Sequence, residues 1–563
     1  MKSRRPLILL SVSGLLLSGC GDDPVETGTA EPAPGNVASQ STAWFQDDID
    51  ASRISFEHVS GHDGDFYIPE IMSGGAAVLD MEGDGDLDIY FIQSGSITSP
   101  DDNPPNQLFE NLGDGTFRDV TDTSGAGDRG YGIATATGDY DNDGDVDLLV
   151  TNVGRNTLLQ NDGAGRFTDV TDQAGLMDED YSASASFFDA DRDGDLDLYV
   201  CNYLVNWSPE REIECKNTLN QPDYCAPLTY KAPAPDRLYL NNGDGTFKDI
   251  SESSGIAAVP GTALGVLAAD FTGDGQLEIF VANDGMPDRL WIRQPDGTYV
   301  DDALLSGCAM DMSGKAKAGM GVSAADIDGD QDEDFIVCNL WRETDSLYLN
   351  DGSGQFQDAT IRTGLGATPK TFTRFGLGFF DFNNDGFIDL YEANGRVADL
   401  ATSHSETDRY AEPNVLFMGQ PKTRFKEVLP RGGTADLLVA TSRAAAFGDI
   451  DNDGRMDIIV VNRDGKPHVL RNTVEDIGNW SLIRVIDEHG RDAIAAQVRL
   501  TADGATTTRR VRTDGSYCAA NDPRVHFGLG DTESIDDISV TWPDGSTQSF
   551  GPQKINTILE LRR

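Results

Sequence analysis

From about Trp44 the chain runs in short β-type stretches broken by Gly/Asp turns, and two patterns alternate along it. The first is a run of small and apolar residues, an acidic loop, then a strand of Leu, Ile, Val and aromatics. AAVLD-MEGDGDLD-IYFIQ around Asp80 and TATGD-YDNDGDVD-LLVTN around Asp139 are examples. The second is a pair of β-type runs joined by a Gly turn, as in TLLQNDGAGRFTDVT, RLYLNNGDGTFKDIS and SLYLNDGSGQFQDAT. Asn/Asp-Gly between such runs predicts a hairpin, because those turn positions need φ > 0. Each pair of patterns supplies about four strands, and 61 glycines argue for many turns rather than long helices.

The acidic loops begin at Asp80, Asp139, Asp189, Asp270, Asp326, Asp381 and Asp449. Their spacing is uneven, and the widest gap contains an insertion with Cys215 and Cys225. Four-stranded units repeating every ~40–50 residues mark propeller blades, whereas solenoid repeats are shorter or helical. The pattern predicts an all-β chain: a seven-bladed β-propeller over residues 44–476, then a small β domain over 477–563. There the repeat stops and the runs SLIRVI, AQVRLTA, TTRRVRT and ISVTW follow.

Ahead of the repeats, Lys2, Arg4 and Arg5 precede an apolar run from Pro6 to Leu17 that ends in Leu17-Ser18-Gly19-Cys20. This is too short to span a bilayer and reads as a secretory signal. It resembles a bacterial lipobox. The resemblance implies a lipoprotein signal peptide over 1–19, lipidation of Cys20, and a disordered tether over 20–43 rich in Pro, Gly, Ser and acids. The expected location is exported and lipid-anchored to a bacterial membrane, periplasmic or on the cell surface. In an oxidising compartment Cys215 and Cys225 are placed to staple their insertion with a disulfide. Cys201 and Cys338 each end a predicted strand and are expected to point into the core, while Cys308 and Cys518 are unassigned.

The formal charge of −52, from 95 acidic and 43 basic residues, argues against nucleic acid and anionic membrane surfaces, since like charge repels. Membrane contact is expected only through the lipid. Cations or basic partners are favoured instead, and the acids are not scattered. Numbering each loop from one to nine, the first copy is Asp80, Glu82, Asp84, Asp86 and Asp88 at positions one, three, five, seven and nine. The second has Asp139, Asp141, Asp143, Asp145 and Asp147, and the third Asp189, Asp191, Asp193, Asp195 and Asp197. The fourth has Asp270, Thr272, Asp274, Gln276 and Glu278; the fifth Asp326, Asp328, Asp330, Asp332 and Asp334. The sixth has Asp381, Asn383, Asp385, Phe387 and Asp389; the seventh Asp449, Asp451, Asp453, Arg455 and Asp457.

Ca2+ is a hard cation that takes six to eight oxygens, and alternate side chains of a tightly curled loop can point inward to supply them. Position seven then contributes its carbonyl, which is why Gln276, Phe387 and Arg455 are compatible there. Position six is Gly except at Gln331, which weakens the fifth loop; Thr272 and Glu278 weaken the fourth. An EF-hand shares positions one to nine but needs Glu at twelve, where this chain has Phe91 or Val150 inside a β-type run. The expectation is up to seven structural Ca2+ ions.

The repeats resemble FG-GAP or VCBS-type repeats of integrin α-like propellers, with Phe447 to Gly454 a close instance. The C-terminal segment resembles the ASPIC/UnbV domain at Gly490-Arg491-Asp492-Ala493-Ile494, at Asn521 to Gly530 and at Val540-Thr541-Trp542-Pro543-Asp544-Gly545. The combination is similar to bacterial members of the cartilage acidic protein family. That resemblance implies extracellular Ca2+ binding and suggests adhesion or matrix contact with a protein or glycan, and it supplies no catalytic residues. The competing class is a propeller-based secreted enzyme, a lyase, hydrolase or dehydrogenase with chemistry at the central channel. The six histidines form no nucleophile or metal pattern. His58 and His62, near Asp63 and Asp65, are read as a surface turn, and the insertion from Asn202 to Asp236, with Trp207 and Tyr224, as a candidate contact loop.

Overall fold

The computed structural model describes residues 42–400, 403–475 and 477–563, so the expected signal peptide, Cys20 and most of the expected tether lie outside the described residues. It is mostly β, built from four-stranded antiparallel sheets of the kind that form propeller blades. The second sheet is representative: strands Gly132–Gly138, Asp147–Asn152, Thr157–Asn161 and Phe167–Asp169 pair in sequence order. The second acidic loop joins its first two strands, where Gly138 pairs with Asp147.

Among the described residues, seven sheets carry one acidic loop each at this place, and the first strand of each packs against its neighbours' first strands. Those strands are rich in small and apolar residues, as in GIATATG, ALGVLAA and SRAAAFG, which are buried throughout, because backbones crowd where they converge. Ser442–Gly448 of the seventh sheet packs against Ala76–Leu79 of the first. The seventh sheet takes its outer strand from the other end of the repeat region, Phe45–Asp47 pairing with His468–Asn472.

The C-terminal segment forms two further sheets. Asn479–Ile486 lies between Val525–Gly530 and Ile558–Arg562, and a four-stranded sheet runs Ala505–Arg510, Gln497–Ala502, Ile535–Thr541, Thr547–Gln553. Ile483, Val485, Val498, Leu500, Ile538, Val540 and Trp542 are buried together as its own core. Residues 42–563 nevertheless form one body, because the stretch between Arg512 and Arg524 leaves this domain and enters the space between the first strands. Ala519–Ala520 pairs in parallel with Ala76 and Ala77, and Ser516 exchanges two main-chain hydrogen bonds with Val322. Thr513 donates to the Thr137 carbonyl, and Asp514 accepts from Ser186 Oγ and the Ala268 amide. Ser516 Oγ accepts from the Leu377 amide and donates to the Ala445 carbonyl. The segment thus touches the first strand of every one of the seven sheets.

The opposite mouth is also covered. The helix Ile68–Met72 is buried along its whole length, and the fully buried Arg443 donates to the carbonyls of Ile71 and Arg396. The insertion over 202–236, stapled by the Cys215–Cys225 disulfide, crosses from the third sheet towards the sixth. There Asp223 accepts from Tyr410 Oη and the Asp399 amide, both at 2.8 Å. Cys201, Cys308, Cys338 and Cys518 are free and buried.

Candidate metal centres

The second loop shows how the sequence builds a centre. The Asp139 carboxylate accepts the amides of Asp143 (3.2 Å) and Gly144 (2.8 Å), curling the loop back on its first residue. Asp143 accepts the Asp145 amide, and Asp147 accepts the amides of Tyr140 (3.1 Å) and Asn161 (2.8 Å). Gly144 sits at φ 95°, a conformation in which a Cβ is strained. Position nine repeats this arrangement at Asp88, Asp197, Asp334, Asp389 and Asp457, each taking the amide of position two and one from the third strand.

In four loops three carboxylates offer oxygens within 4.8 Å of one another and could hold a metal ion such as Ca2+. They are Asp139, Asp141 and Asp147; Asp189, Asp191 and Asp197; Asp326, Asp328 and Asp334; and Asp449, Asp451 and Asp453. Among the described residues, the loops at Asp80, Asp270 and Asp381 gather no such trio. The difference lies at position three, which is Asp in the four and Glu82, Thr272 or Asn383 in the other three. The fifth loop, expected to be weakened by Gln331, keeps its trio because Gln331 adopts φ 80° and its amide still reaches Asp326. In the fourth, the longer Glu278 turns back onto the amides of Phe271 and Thr272.

Burial dominates the electrostatics. It raises Asp139 to about 7, Asp197 to about 8 and Asp334 to about 8, with the carboxylates at positions one, three and five adding to the effect. Asp147 is pushed well above the usual range by burial, with Asp141 and Asp139 also raising it. Asp141 Oδ1, Asp191 Oδ1, Asp270 Oδ1 and Glu82 Oε2 are buried without a hydrogen-bond partner. Orphaned anionic oxygens are costly, and their placement inside the curled loops fits a bound cation. The seventh loop already holds a charge of its own: Arg471 lies 3.3 Å from Asp451 and 3.4 Å from Asp457. At position seven, the side chains of Asp86 and Asp195 face the neighbouring loop, accepting from Asn452 and Asn142.

Sequence reasoning missed the asparagine that ends the third strand. Asn161 Nδ2 donates to the Val146 carbonyl of its own loop and to Met81 of the loop before it. Asn111, Asn241, Asn350 and Asn472 repeat this, Asn111 reaching Ile450 of the seventh loop. The signal in the sequence is the Asn of TLLQN, RLYLN and SLYLN, which suits the adjoining turn equally well.

Residues 80–150, 139–200, 224–281, 270–337 and 326–392 match the FG-GAP-like repeat, together more than half of the chain. The chain belongs to the FG-GAP-like repeat family. Residues 487–563 match ASPIC and UnbV. Cartilage acidic protein 1 of Mus musculus is 26% identical over 360 residues, covering 60% of this chain and 52% of the mouse protein. The Homo sapiens protein is 25% identical over 358 residues, covering 60% and 51%. This chain spans about half the length of these curated relatives. Among solved structures, an Agrocybe aegerita lectin that recognises non-reducing terminal N-acetylglucosamine is 15% identical, with 70% of this chain and 86% of that one covered and a TM-score of 0.37. The exotype rhamnogalacturonan lyase YesX is 13% identical over 71% and 72%, with a TM-score of 0.36. At those scores neither likeness decides fold or function.

The ASPIC and UnbV domain sits on the face of the FG-GAP repeats that carries the loops. Arg484 lies 3.3 Å from Asp80, Arg491 reaches the second and third loops, and Arg524 reaches the seventh. Arg510 and Arg512 pair with Glu333 of the fifth loop; burial opposes ionisation of Glu333, but the two guanidiniums overcome it and hold its carboxyl below its ordinary range. On the far face, His62 Nδ1 lies 2.8 Å from the buried Glu70, which also accepts from Tyr224 Oη. His58 is not at a surface turn as expected: it is buried between Ser94 and the Asp464 amide, and burial lowers its pKa to about 4.

Proposed function

We propose that this protein is an exported, Ca2+-stabilised, seven-bladed propeller that acts as an extracellular binding, adhesion or scaffold protein. The observation that carries the reading is seven sheets, six of four strands and the first of five because Ala519–Ala520 joins it, each with an acidic loop in the same place, whose first strands pack in series with the last against the first. Ca2+, up to seven ions, would be held by the side chains at positions one, three, five and nine and by the carbonyl at seven. When bound it would supply the positive charge that lets converging carboxylates stay ionised in a buried loop. The Leu17-Ser18-Gly19-Cys20 run, which resembles a lipobox, supports export with a lipid anchor as the route to the membrane.

An enzyme with chemistry in the channel is the weaker reading. A propeller active site there needs an open recess with polar groups converging on a substrate. Here the space between the first strands holds the 512–524 segment, and the opposite mouth holds Ile68–Met72 and the stapled insertion. A partner, protein or glycan, is therefore expected on outer surfaces. The test is a glycan and protein binding screen of the soluble mature chain in Ca2+ and in EGTA. Ca2+-dependent capture of a partner is the expected result. Turnover of a polysaccharide with no stable complex would favour the enzyme.

A further inference from the structure

Two arginines of the C-terminal domain take hold of their loops through the same pair of acceptors. Arg491 donates from Nη1 to the main-chain oxygen of Asp139 at 3.3 Å and to Asn142 Oδ1, positions one and four of the second loop. Arg524 donates to the main-chain oxygen of Asp449 at 2.7 Å and to Asn452 Oδ1 at 2.6 Å, positions one and four of the seventh. In each case Nε is held by a carboxylate of the domain's own, Asp487 at 2.8 Å and Asp522 at 2.9 Å, so the guanidinium is aimed before it meets the loop. Neither acceptor is among the oxygens that would face a cation. Both come together only in the curled loop, with Asn142 at φ 61° and Asn452 at φ 58°.

We propose that Arg491 and Arg524 make docking of the C-terminal domain, and insertion of the 512–524 segment between the first strands, dependent on the cation-held shape of the second and seventh loops. This rests on the calcium reading above. Without a cation, the three carboxylates within 4.8 Å of one another in the second loop repel and work against the curl; in the seventh, Arg471 and Arg455 offset part of that repulsion at Asp451 and Asp453, so the second loop is the more cation-dependent of the two. A loop that opens removes both acceptors at once. With the cation in place the curl is fixed and each guanidinium finds two neutral oxygens already positioned. Cation and guanidinium do not compete for the same oxygens, because these arginines take main-chain and amide oxygens and pair with Asp487 and Asp522 rather than with the loop carboxylates. By linkage the effect is reciprocal, so the docked domain tightens cation binding at these two loops by the same factor.

The test uses the full mature chain. Hydrogen exchange over 512–524 is followed in excess Ca2+ and in EGTA, while calorimetry measures Ca2+ binding directly. The expected result is exchange in that segment faster by about tenfold or more in EGTA. Arg491→Lys and Arg524→Lys, which keep the charge but lose the fork, are expected to show the fast exchange even in Ca2+ and to weaken Ca2+ binding by about tenfold at the loops they serve. The exposed Arg562→Lys, whose partner Glu560 lies outside the loops, should change neither quantity. Ca2+ bound by calorimetry, with identical exchange in Ca2+ and EGTA, would overturn the coupling alone. No Ca2+ bound at all would remove the reading beneath it.

Discussion

At the residue scale, aspartate at position three separates loops that gather three carboxylates from those that do not. Side-chain length decides this: Glu82 carries one methylene too many for the same geometry, and Thr272 and Asn383 carry no charge. The buried acids also set a pH dependence. Without a cation, burial lifts Asp139 to about 7 and Asp197 and Asp334 to about 8, above the ~3.9 of a free aspartate. A carboxyl with a raised folded-state pKa favours folding when protonated, so its stabilising effect is complete below pH ~4 and is lost as pH rises through 7 to 8. The melting temperature in EGTA is therefore expected to fall from about pH 5 to about pH 8.5, and saturating Ca2+ should abolish that fall and raise the midpoint at pH 8 by on the order of 10 °C. A flat profile in EGTA that Ca2+ leaves unmoved would count against ion-filled loops.

At the scale of elements, five of the seven sheets are each tied to the sheet before by one asparagine side chain. Asn161 bridges the part-buried Val146 carbonyl of its own sheet and the buried Met81 carbonyl of the sheet before it. Asn161→Ala would leave two carbonyls without a partner, at about 1–3 kcal/mol each. A loss of about 2–5 kcal/mol in chemical denaturation is expected, against less than about 0.5 kcal/mol for Asn242→Ala, whose side chain is exposed in a hairpin turn. Equal, small effects would mean that the bridges contribute nothing net. The strands and hairpins were readable in advance because alternation and Asn/Asp-Gly turns act locally. The Asn bridges were not, because the same residue is equally suited to the turn beside it, and only the neighbouring sheet gives its amide a second use.

At the scale of the whole molecule, the repeats and the C-terminal domain share an interior. A chain whose domains merely touched would melt in separate steps, but here Ser516, Tyr517 and Ala520 lie against first strands of several sheets, Tyr517 packing its ring on Phe375. One calorimetric transition is expected for the intact chain in Ca2+, and two resolved transitions would show that the domain unfolds independently of the repeats. The sequence by itself determined the seven acidic loops, the four-strand repeat and the point where it stops, because each rests on residue types at short fixed spacing. Only the tertiary structure decided which loops gather three carboxylates, that the 512–524 segment fills the space between the first strands, and that the 202–236 insertion crosses the other mouth. Those features depend on groups far apart in the chain meeting at one axis. Segments such as Thr513-Asp514-Gly515-Ser516 carry no local pattern that distinguishes a buried plug from an exposed turn.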